Sequence, residues 1–162
     1  MGRKNNRKLS AYSRKLSVNP QRLISKPNRL IEHSDLIPHR GEVWFADLGL
    51  HPGTCVQEGC RPVLIISNEL NNTYSETVTV IPMTSKMKKS HLPTHVEIFP
   101  TEALMIEPSM VLAEQVTTIG KNALKNFIGR VEQKKMSDVE SAVSIHLGLK
   151  SVESRNKSVI TV

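Results

Sequence analysis

Short apolar stretches separated by polar residues and turn formers dominate the chain between residues 40 and 131. Residues 42–48 (EVWFADL) and 76–83 (ETVTVIPM) change side-chain character with a period of two, which predicts β-strands. Residues 63–66 (VLII) form a continuous apolar run, typical of a strand buried on both faces. Further strands are predicted over residues 93–98, 109–116 and 126–131.

Near the C-terminus the period changes to that of a helix. Apolar residues recur at spacings of three and four from Met136 to Leu147, which predicts an amphipathic helix that starts around Gln133 and stops at Gly148. About six short strands and this helix predict a mainly β protein with helical additions. We expect a small barrel with the C-terminal helix packed on it.

Positive charge is concentrated at the N-terminus. Residues 1–39 contain nine Lys or Arg and two acidic residues, so they carry the whole formal net charge of +7. Because this stretch has no apolar stripe wide enough to fold alone, we interpret residues 1–36 as a flexible basic arm that contacts nucleic-acid phosphates. The alternatives are a solvated tail or a start codon placed too far upstream. The compact domain is predicted over residues 37–149, followed by a tail of residues 150–162.

Composition argues against several classes of protein. Aromatic residues make up 4% of the 162 residues, too few for a nucleic-acid platform built from rows of stacking rings. No apolar run approaches the roughly 20 residues of a membrane span, and the basic N-terminus lacks the apolar stretch of a secretory signal. We therefore expect a soluble, cytoplasmic protein with no membrane partner.

Two cysteines and a histidine pair raise the question of a metal. Cys55 and Cys60 have no second Cys or Cys/His pair at zinc-ligand spacing. Pro93 lies between His91 and His95 and prevents the regular helix that would align them on one face. We expect no metal and no other cofactor. The cysteines are interpreted as free thiols rather than a bridge, as a reducing compartment favours.

Arg61 directly precedes the longest apolar run, in the sequence EGCRPVLIIS. Pro62 stiffens the backbone between them, so the guanidinium is held at the mouth of a buried strand. A planar, permanently charged fork of donors suits an anion such as a phosphate. The alternative interpretation is a structural ion pair at the strand end.

Six segments, taken in order, carry a resemblance to a known family: HRGEVWFADL, GCRPVLIISNELNN, TVTVIPMTSK, LPTHVEI, MVLAEQVTTI and SIHLGL. Over residues 40–149 the chain resembles the PemK/MazF toxin endoribonucleases. The resemblance implies a small SH3-like barrel of the PemK/CcdB type, a homodimer, and metal-independent cleavage of single-stranded RNA. It also implies an antitoxin partner that blocks the site, with DNA bound only indirectly through that antitoxin.

The resemblance further implies the site residues. Arg61 would stabilise charge on the phosphoryl oxygens, and Thr84, which matches the family's active-site threonine, would orient phosphate or ribose. A threonine at that position also suits a turn. RNA supplies its own 2′-hydroxyl nucleophile, so the products would carry 2′,3′-cyclic phosphate and 5′-hydroxyl ends. The RNA-binding residues carried over from the family are Thr54, Gln57, Asn68, Leu92, Glu114 and Gln115. Lys86, in the basic run SKMKKS, is added as a phosphate contact, with a solvated basic loop as the alternative.

Three aspects of the function stay open at the level of sequence. Glu114 and His146 are both candidates for a general base, and His146 also fits a structural histidine beside the helix stripe. Cys55 stands where the family usually has an acidic residue and Thr117 replaces a frequent arginine, which bears on base preference and activity. The alternative functions are a non-catalytic RNA-binding barrel and a gyrase-poison-type toxin on the same fold.

We expect the domain to remain folded and dimeric when residues 1–36 are removed, because the arm holds charge but no core pattern. Circular dichroism and sedimentation should be unchanged, and the salt dependence of RNA affinity should flatten as phosphate contacts are lost. Loss of the sheet signal, or dissociation to monomers, would show that the domain starts earlier in the chain.

Overall fold

The computed structural model describes residues 37–87, 91–101, 103–104 and 106–151. The predicted basic arm of residues 1–36 and residues 152–162 of the predicted tail lie outside the described residues. The described chain contains seven strands: β1 (Glu42–Asp47), β2 (Cys60–Ile65), β3 (Thr77–Thr84), β4 (His95–Ile98), β5 (Ser109–Leu112), β6 (Thr117–Gly120) and β7 (Leu124–Arg130).

Two helices and two 3-10 turns complete the described chain. Helix α1 (Glu69–Tyr74) follows β2, helix α2 (Gln133–His146) follows β7, and the 3-10 turns Ala113–Gln115 and Lys121–Ala123 flank β6. The prediction of a C-terminal helix is confirmed, including its start at Gln133. Within the described ranges, neither helix has the length and apolar character needed to cross a membrane.

The strands form one antiparallel sheet in the order β4-β5-β3-β2-β1-β7, and β6 also pairs with β3. Strand β2 lies inside this order. Its Val63 pairs with Trp44 of β1 on one side and with Pro82 of β3 on the other. Because side chains directly opposite each other share a face, each row across these three strands faces one side of the sheet.

Two hydrophobic clusters cover the two faces of the sheet, and β2 contributes to both. Leu64 belongs to the first cluster, which includes Ile81 of β3 and Val139 of α2. Val63 and Ile65 belong to the second cluster. All three β2 residues are fully buried. This confirms that the apolar run forms a strand buried on both faces.

The sheet curls into a barrel-like shape in which the chain after β4 reaches β7. Leu104 forms a bridge with Gly129, and Arg130 donates its backbone N–H to the Ala103 carbonyl at 3.0 Å. A side chain at position 129 would clash, since a Cβ there would lie 2.7 Å from the Leu104 Cα. The expected mainly β barrel with a packed C-terminal helix is confirmed in this partly closed form.

A buried carboxylate joins the first strand to the last. Glu42 accepts the His39 backbone N–H at 2.9 Å and the Trp44 indole N–H at 3.0 Å on Oε2. Its Oε1 accepts a hydrogen bond from Arg130 Nη2 at 3.2 Å. These three donors offset the cost of removing the carboxylate from water. The contact fixes the start of β1 against the end of β7.

A second polar cluster fixes both helices to the start of the domain. Glu69 of α1 accepts hydrogen bonds from His39 Nδ1 at 2.9 Å and from the Arg40 backbone N–H at 3.0 Å. Arg40 Nη2 pairs with Glu140 Oε1 of α2 at 2.9 Å. The hydrogen bond from His39 is the main cause that holds the pKa of Glu69 below its ordinary value. Because these groups are exposed, their main effect is on position rather than on stability.

The structure differs from the predicted elements both in which elements are present and in where the strands begin and end. The prediction contains neither β6 nor α1, and it extends β5 to residue 116 although the strand ends at Leu112. The reason for the early end is that β3 pairs with β5 at Met83 and Thr84 but with β6 from Thr77 to Val80. The chain therefore leaves β3 after pairing with its end and rejoins it nearer its start. The 3-10 turn Ala113–Gln115 connects the two paired segments. Strand β7 also starts earlier than predicted, at Leu124.

Candidate functional site

The register of β2 and β3 places two predicted site residues at the same end and on the same face of the sheet. Val63 pairs with Pro82 in this ladder. Arg61 lies two residues before Val63, at the start of β2, and Thr84 lies two residues after Pro82, at the end of β3. Because side chains on a strand alternate between faces, Arg61 shares the face of Val63 and Thr84 shares that of Pro82, so both project from the same side of the sheet.

Arg61 and Thr84 lie in a groove of about 480 Å³. Thr54, Gln57 and Lys86, three of the predicted RNA-binding residues, also line it. The rest of the lining, which the sequence analysis did not assign to the site, is Cys55, Val56, Glu58, Cys60, Pro62, Met83 and Ser85. The structure thus brings together five of the nine predicted site residues on one concave surface.

The segment of residues 48–59, which we call the groove loop, forms one wall. The loop is closed at its base because Leu48 donates its N–H to the Gly59 carbonyl at 3.1 Å and Gly59 donates to the Gly49 carbonyl at 2.7 Å. Both glycines have positive φ angles, of 73° and 71°, which other residues rarely adopt. This turn carries Thr54 and Gln57 over the strand ends.

The Arg61 guanidinium is bound to the groove loop. Its Nε and Nη2 donate to the Glu58 carbonyl at 2.8 and 2.7 Å, and Nη1 donates to Gln57 Oε1. Among the described residues, no carboxylate forms an ion pair with Arg61. The interpretation of Arg61 as part of a structural ion pair is therefore not supported. The hydrogen bonds of its guanidinium go to neutral groups of the groove loop.

Thr84 serves the turn that follows β3 while lining the groove. Its Oγ1 accepts the Lys86 backbone N–H at 3.2 Å, the local hydrogen bond expected for a turn-stabilising threonine. The hydroxyl hydrogen is not used in this bond, because the oxygen is the acceptor. Thr84 can therefore hold the turn and donate a hydrogen bond to an anion in the groove.

The charges in the groove favour an anionic ligand. Arg61 and Lys86 supply two cations, and Glu58 supplies one carboxylate. The Glu58 carboxylate is directed to the loop itself, where Oε2 accepts the His51 backbone N–H at 2.7 Å. Within the described ranges, no cluster of three or more His, Cys, Asp and Glu side chains has an arrangement that could hold a metal.

Gln115 contacts the groove loop rather than the groove floor. Its Oε1 accepts the Gln57 backbone N–H at 2.7 Å, and its Nε2 donates to the Cys55 carbonyl at 3.0 Å. These contacts join residues that are far apart in sequence, so no local sequence pattern indicates them. Cys55 and Cys60 are both free and exposed.

The two candidates for a general base lie outside the groove lining. Glu114 Oε1 is 2.8 Å from Nε2 of the buried His95, and Glu114 Oε2 is buried with no hydrogen-bond partner. His146 is the last residue of α2, the helix that packs on the first hydrophobic cluster, which contains Leu64. Neither side chain is among those that line the groove with Arg61.

Asn68 and Leu92 are likewise not part of the groove lining. Asn68 follows β2 at the end opposite Arg61 and caps α1, where its Oδ1 accepts the Asn71 N–H at 2.8 Å. Leu92 is half-buried before β4, and its carbonyl accepts the His95 N–H at 3.0 Å. Of the seven predicted RNA-binding residues, Asn68, Leu92 and Glu114 are thus away from the groove, and Gln115 reaches it through the loop.

Comparison with known proteins places this geometry in a family. The model of PemK-like, MazF-like toxins of type II toxin–antitoxin systems matches residues 39–147. The protein named Endoribonuclease MazF from Staphylococcus saprophyticus is 42% identical over 115 residues, which are 71% of this chain and 95% of that protein.

Solved structures agree with this assignment. An endoribonuclease in complex with its cognate antitoxin, from Mycobacterial species, is 30% identical, with a TM-score of 0.58, and the match covers 70% of this chain and 97% of that one. MazF from Deinococcus radiodurans is 22% identical, with a TM-score of 0.61 and coverage of 70% and 99%. This last likeness concerns the fold alone.

The cap at Asn68 leads to a prediction that separates its two roles. We expect Asn68→Ala to lower the free energy of unfolding by about 1 kcal/mol, because an N-cap hydrogen bond is lost, while Asn68→Asp keeps the cap. Urea unfolding measures the first effect, and fluorescence anisotropy with a labelled RNA measures affinity. Unchanged stability combined with weaker RNA binding in Asn68→Ala would instead support the RNA-binding role predicted from the sequence.

Proposed function

Because the chain belongs to the PemK-like, MazF-like toxins of type II toxin–antitoxin systems, we propose that it is a toxin endoribonuclease that cleaves single-stranded RNA in the groove of Arg61 and Thr84. The substrate class follows from the 42% identical relative, whose name states the activity. Messenger RNA in the cytoplasm is the substrate we propose.

The observation that carries this proposal is that Arg61 and Thr84 line one groove from the neighbouring ends of β2 and β3. Both residues come from strands, and strands hold side chains more precisely than loops do. Arg61 has no carboxylate partner among the described residues, so its charge is available to an anion once the neutral loop groups leave. A scissile phosphate is an anion of suitable size and charge for this position.

The proposed reaction uses the nucleophile that RNA already contains. The 2′-hydroxyl oxygen forms a bond to the adjacent phosphorus and loses its proton to water, while the bond from phosphorus to the 5′ oxygen breaks and that oxygen takes up a proton from water. The products are a 2′,3′-cyclic phosphate and a 5′-hydroxyl end, and no water is consumed. Arg61 stabilises the negative charge that builds up on the phosphoryl oxygens, where a well-placed donor has its largest effect.

Thr84 and Lys86 position the substrate in this scheme. The Thr84 hydroxyl donates to a phosphate or ribose oxygen beside Arg61, and Lys86 contacts a neighbouring phosphate. Thr54 and Gln57 lie in the groove loop, where the Gln57 side-chain amide can bond the edges of unstacked bases. The Thr54 hydroxyl donates to the His51 carbonyl, so toward a base it acts as an acceptor. We assign no general base, because Glu114 is engaged by His95 and His146 lies on α2.

We expect Arg61→Ala to reduce the rate of RNA cleavage about 100-fold or more with little change in melting temperature, because one charge donor to the transition state is lost. Arg61→Lys should restore only part of the rate, since a point charge does not reproduce the fork of donors. Thr84→Ala should reduce the rate more than it reduces RNA affinity. Lys125→Ala, which removes an exposed cation on β7, is the matched control and should cleave normally.

The cleavage products test the mechanism. They should carry 2′,3′-cyclic phosphates, form in excess EDTA, and disappear when the ribose 5′ of the cleaved bond is 2′-deoxy. Binding of RNA with no cleavage would indicate a non-catalytic RNA-binding protein, and inhibition of gyrase with no cleavage would indicate a gyrase poison. If Arg61→Ala unfolds the protein while the folded remainder cleaves at the full rate, Arg61 is structural.

We also propose a homodimer and a cognate antitoxin whose extended segment covers the groove. The relative from Mycobacterial species was solved with its antitoxin. A disordered segment that folds on binding can wrap a large surface, and an acidic one would complement Arg61 and Lys86. DNA would be bound only through the antitoxin.

In a complex with that antitoxin, we expect slower hydrogen exchange in residues 54–61 and 84–86, because the bound segment shields these backbone amides. Hydrogen exchange followed by mass spectrometry measures this, with the exposed β7 segment around Lys125 as the internal reference. Protection confined to α2 would contradict a groove-blocking antitoxin.

A further inference from the structure

The Gln115 side chain uses both of its polar atoms to hold the groove loop. Oε1 accepts the Gln57 N–H at 2.7 Å and Nε2 donates to the Cys55 carbonyl at 3.0 Å. Gln115 is itself fixed, because the 3-10 turn that carries it directly follows β5 and Ala113 of that turn donates to the carbonyl of Thr94, the residue before β4, at 3.0 Å. A rigid part of the fold therefore grips the loop by its backbone.

The groove loop is gripped from its other side by Arg61. The guanidinium donates to Gln57 Oε1 and to the Glu58 carbonyl, one residue on from the amide that Gln115 holds. The contacts of Gln115 and Arg61 thus converge on three loop residues, Cys55, Gln57 and Glu58. As long as they are made, three of the guanidinium's five N–H donors are directed at the loop.

We propose that Gln115 is a positioning residue that holds the groove loop closed over Arg61, so that the loop and an RNA phosphate compete for the same guanidinium donors. The inference rests on the proposed function and assigns Gln115 to the control of access, in place of the base contact expected from the sequence. RNA binds after the Glu58 backbone carbonyl and the Gln57 side-chain amide release the Arg61 guanidinium. Gln115 sets the fraction of molecules in which the loop is open.

Competition of this kind has a quantitative consequence. When only the open form binds, the apparent dissociation constant equals the intrinsic constant divided by the open fraction. The two neutral hydrogen bonds of Gln115, at their usual net strength, lower the fraction of molecules with an open groove loop by about tenfold. Removing them should therefore make RNA bind more tightly, which is the opposite of the effect of removing a residue that contacts RNA.

The test compares Gln115→Ala and Gln115→Met with the unsubstituted protein. Met keeps most of the side-chain volume and cannot make either hydrogen bond, so it separates the bonds from packing. For an RNA made uncleavable by a single 2′-deoxy ribose at the cut, we expect the dissociation constant to fall about tenfold in both variants. The KM for cleavable RNA should fall with it, and kcat should stay within about twofold, since Arg61 and Thr84 are intact.

Hydrogen exchange of the Gly59 backbone amide, which donates to the Gly49 carbonyl within the groove loop and not to Gln115, gives a readout that does not depend on cleavage when it is measured by NMR without RNA. It should accelerate about tenfold in both variants, while amides of β2 and β3 keep their rates. Gln133→Met, which alters an exposed glutamine at the start of α2, is the control and should change neither exchange nor affinity.

Two outcomes would overturn the inference. A higher dissociation constant with unchanged Gly59 exchange would show that Gln115 contacts RNA directly. Faster exchange with an unchanged dissociation constant would show that the loop does not compete with RNA. Failure of the proposed function is distinct, because it appears as an absence of cleavage by the unsubstituted protein, whatever the Gln115 variants do.

Discussion

The antiparallel register between β2 and β3 is the constraint on which the groove depends. A shift of one residue would turn Arg61 to the opposite face of the sheet and separate it from Thr84. Such a shift is costly because β2 places alternate residues in two different cores, Leu64 in one and Val63 in the other. Burial on both faces thus fixes the register twice, and the position of the guanidinium follows from hydrophobic packing several residues away.

The groove combines a rigid floor with a weakly held wall. The floor is built from strand ends whose neighbours are fully buried, whereas the wall rests on hydrogen bonds between side chains and loop backbone. Each such bond contributes about 0.7 kcal/mol net, so the wall can move under conditions in which the floor is unchanged. The residues proposed for the chemistry, Arg61 and Thr84, lie on the rigid floor. The proposed control of access lies in the groove loop, which can move.

The sequence predicts the parts of the fold that follow from periodicity, and misses those that follow from long-range partners. The apolar run at residues 63–66 and the stripe of α2 are strong local signals. Strand β6, with the sequence TTIG, has no such alternation and is a strand because β3 offers it an edge. In the site, Arg61 and Thr84 are visible from sequence, but the carbonyl that binds Arg61 is not, because every residue has one.

The pairing of the first strand with the last has a consequence for synthesis. Glu42 of β1 and Arg130 of β7 are 88 residues apart, and their strands hydrogen-bond along one edge of β1. While the ribosome is still making the middle of the chain, that edge has no partner, so the sheet cannot be completed. The complete sheet therefore forms only after β7, at residues 124–130, has been synthesised. Until then β1 and the strands beside it lack the partner that holds the start of the domain in place.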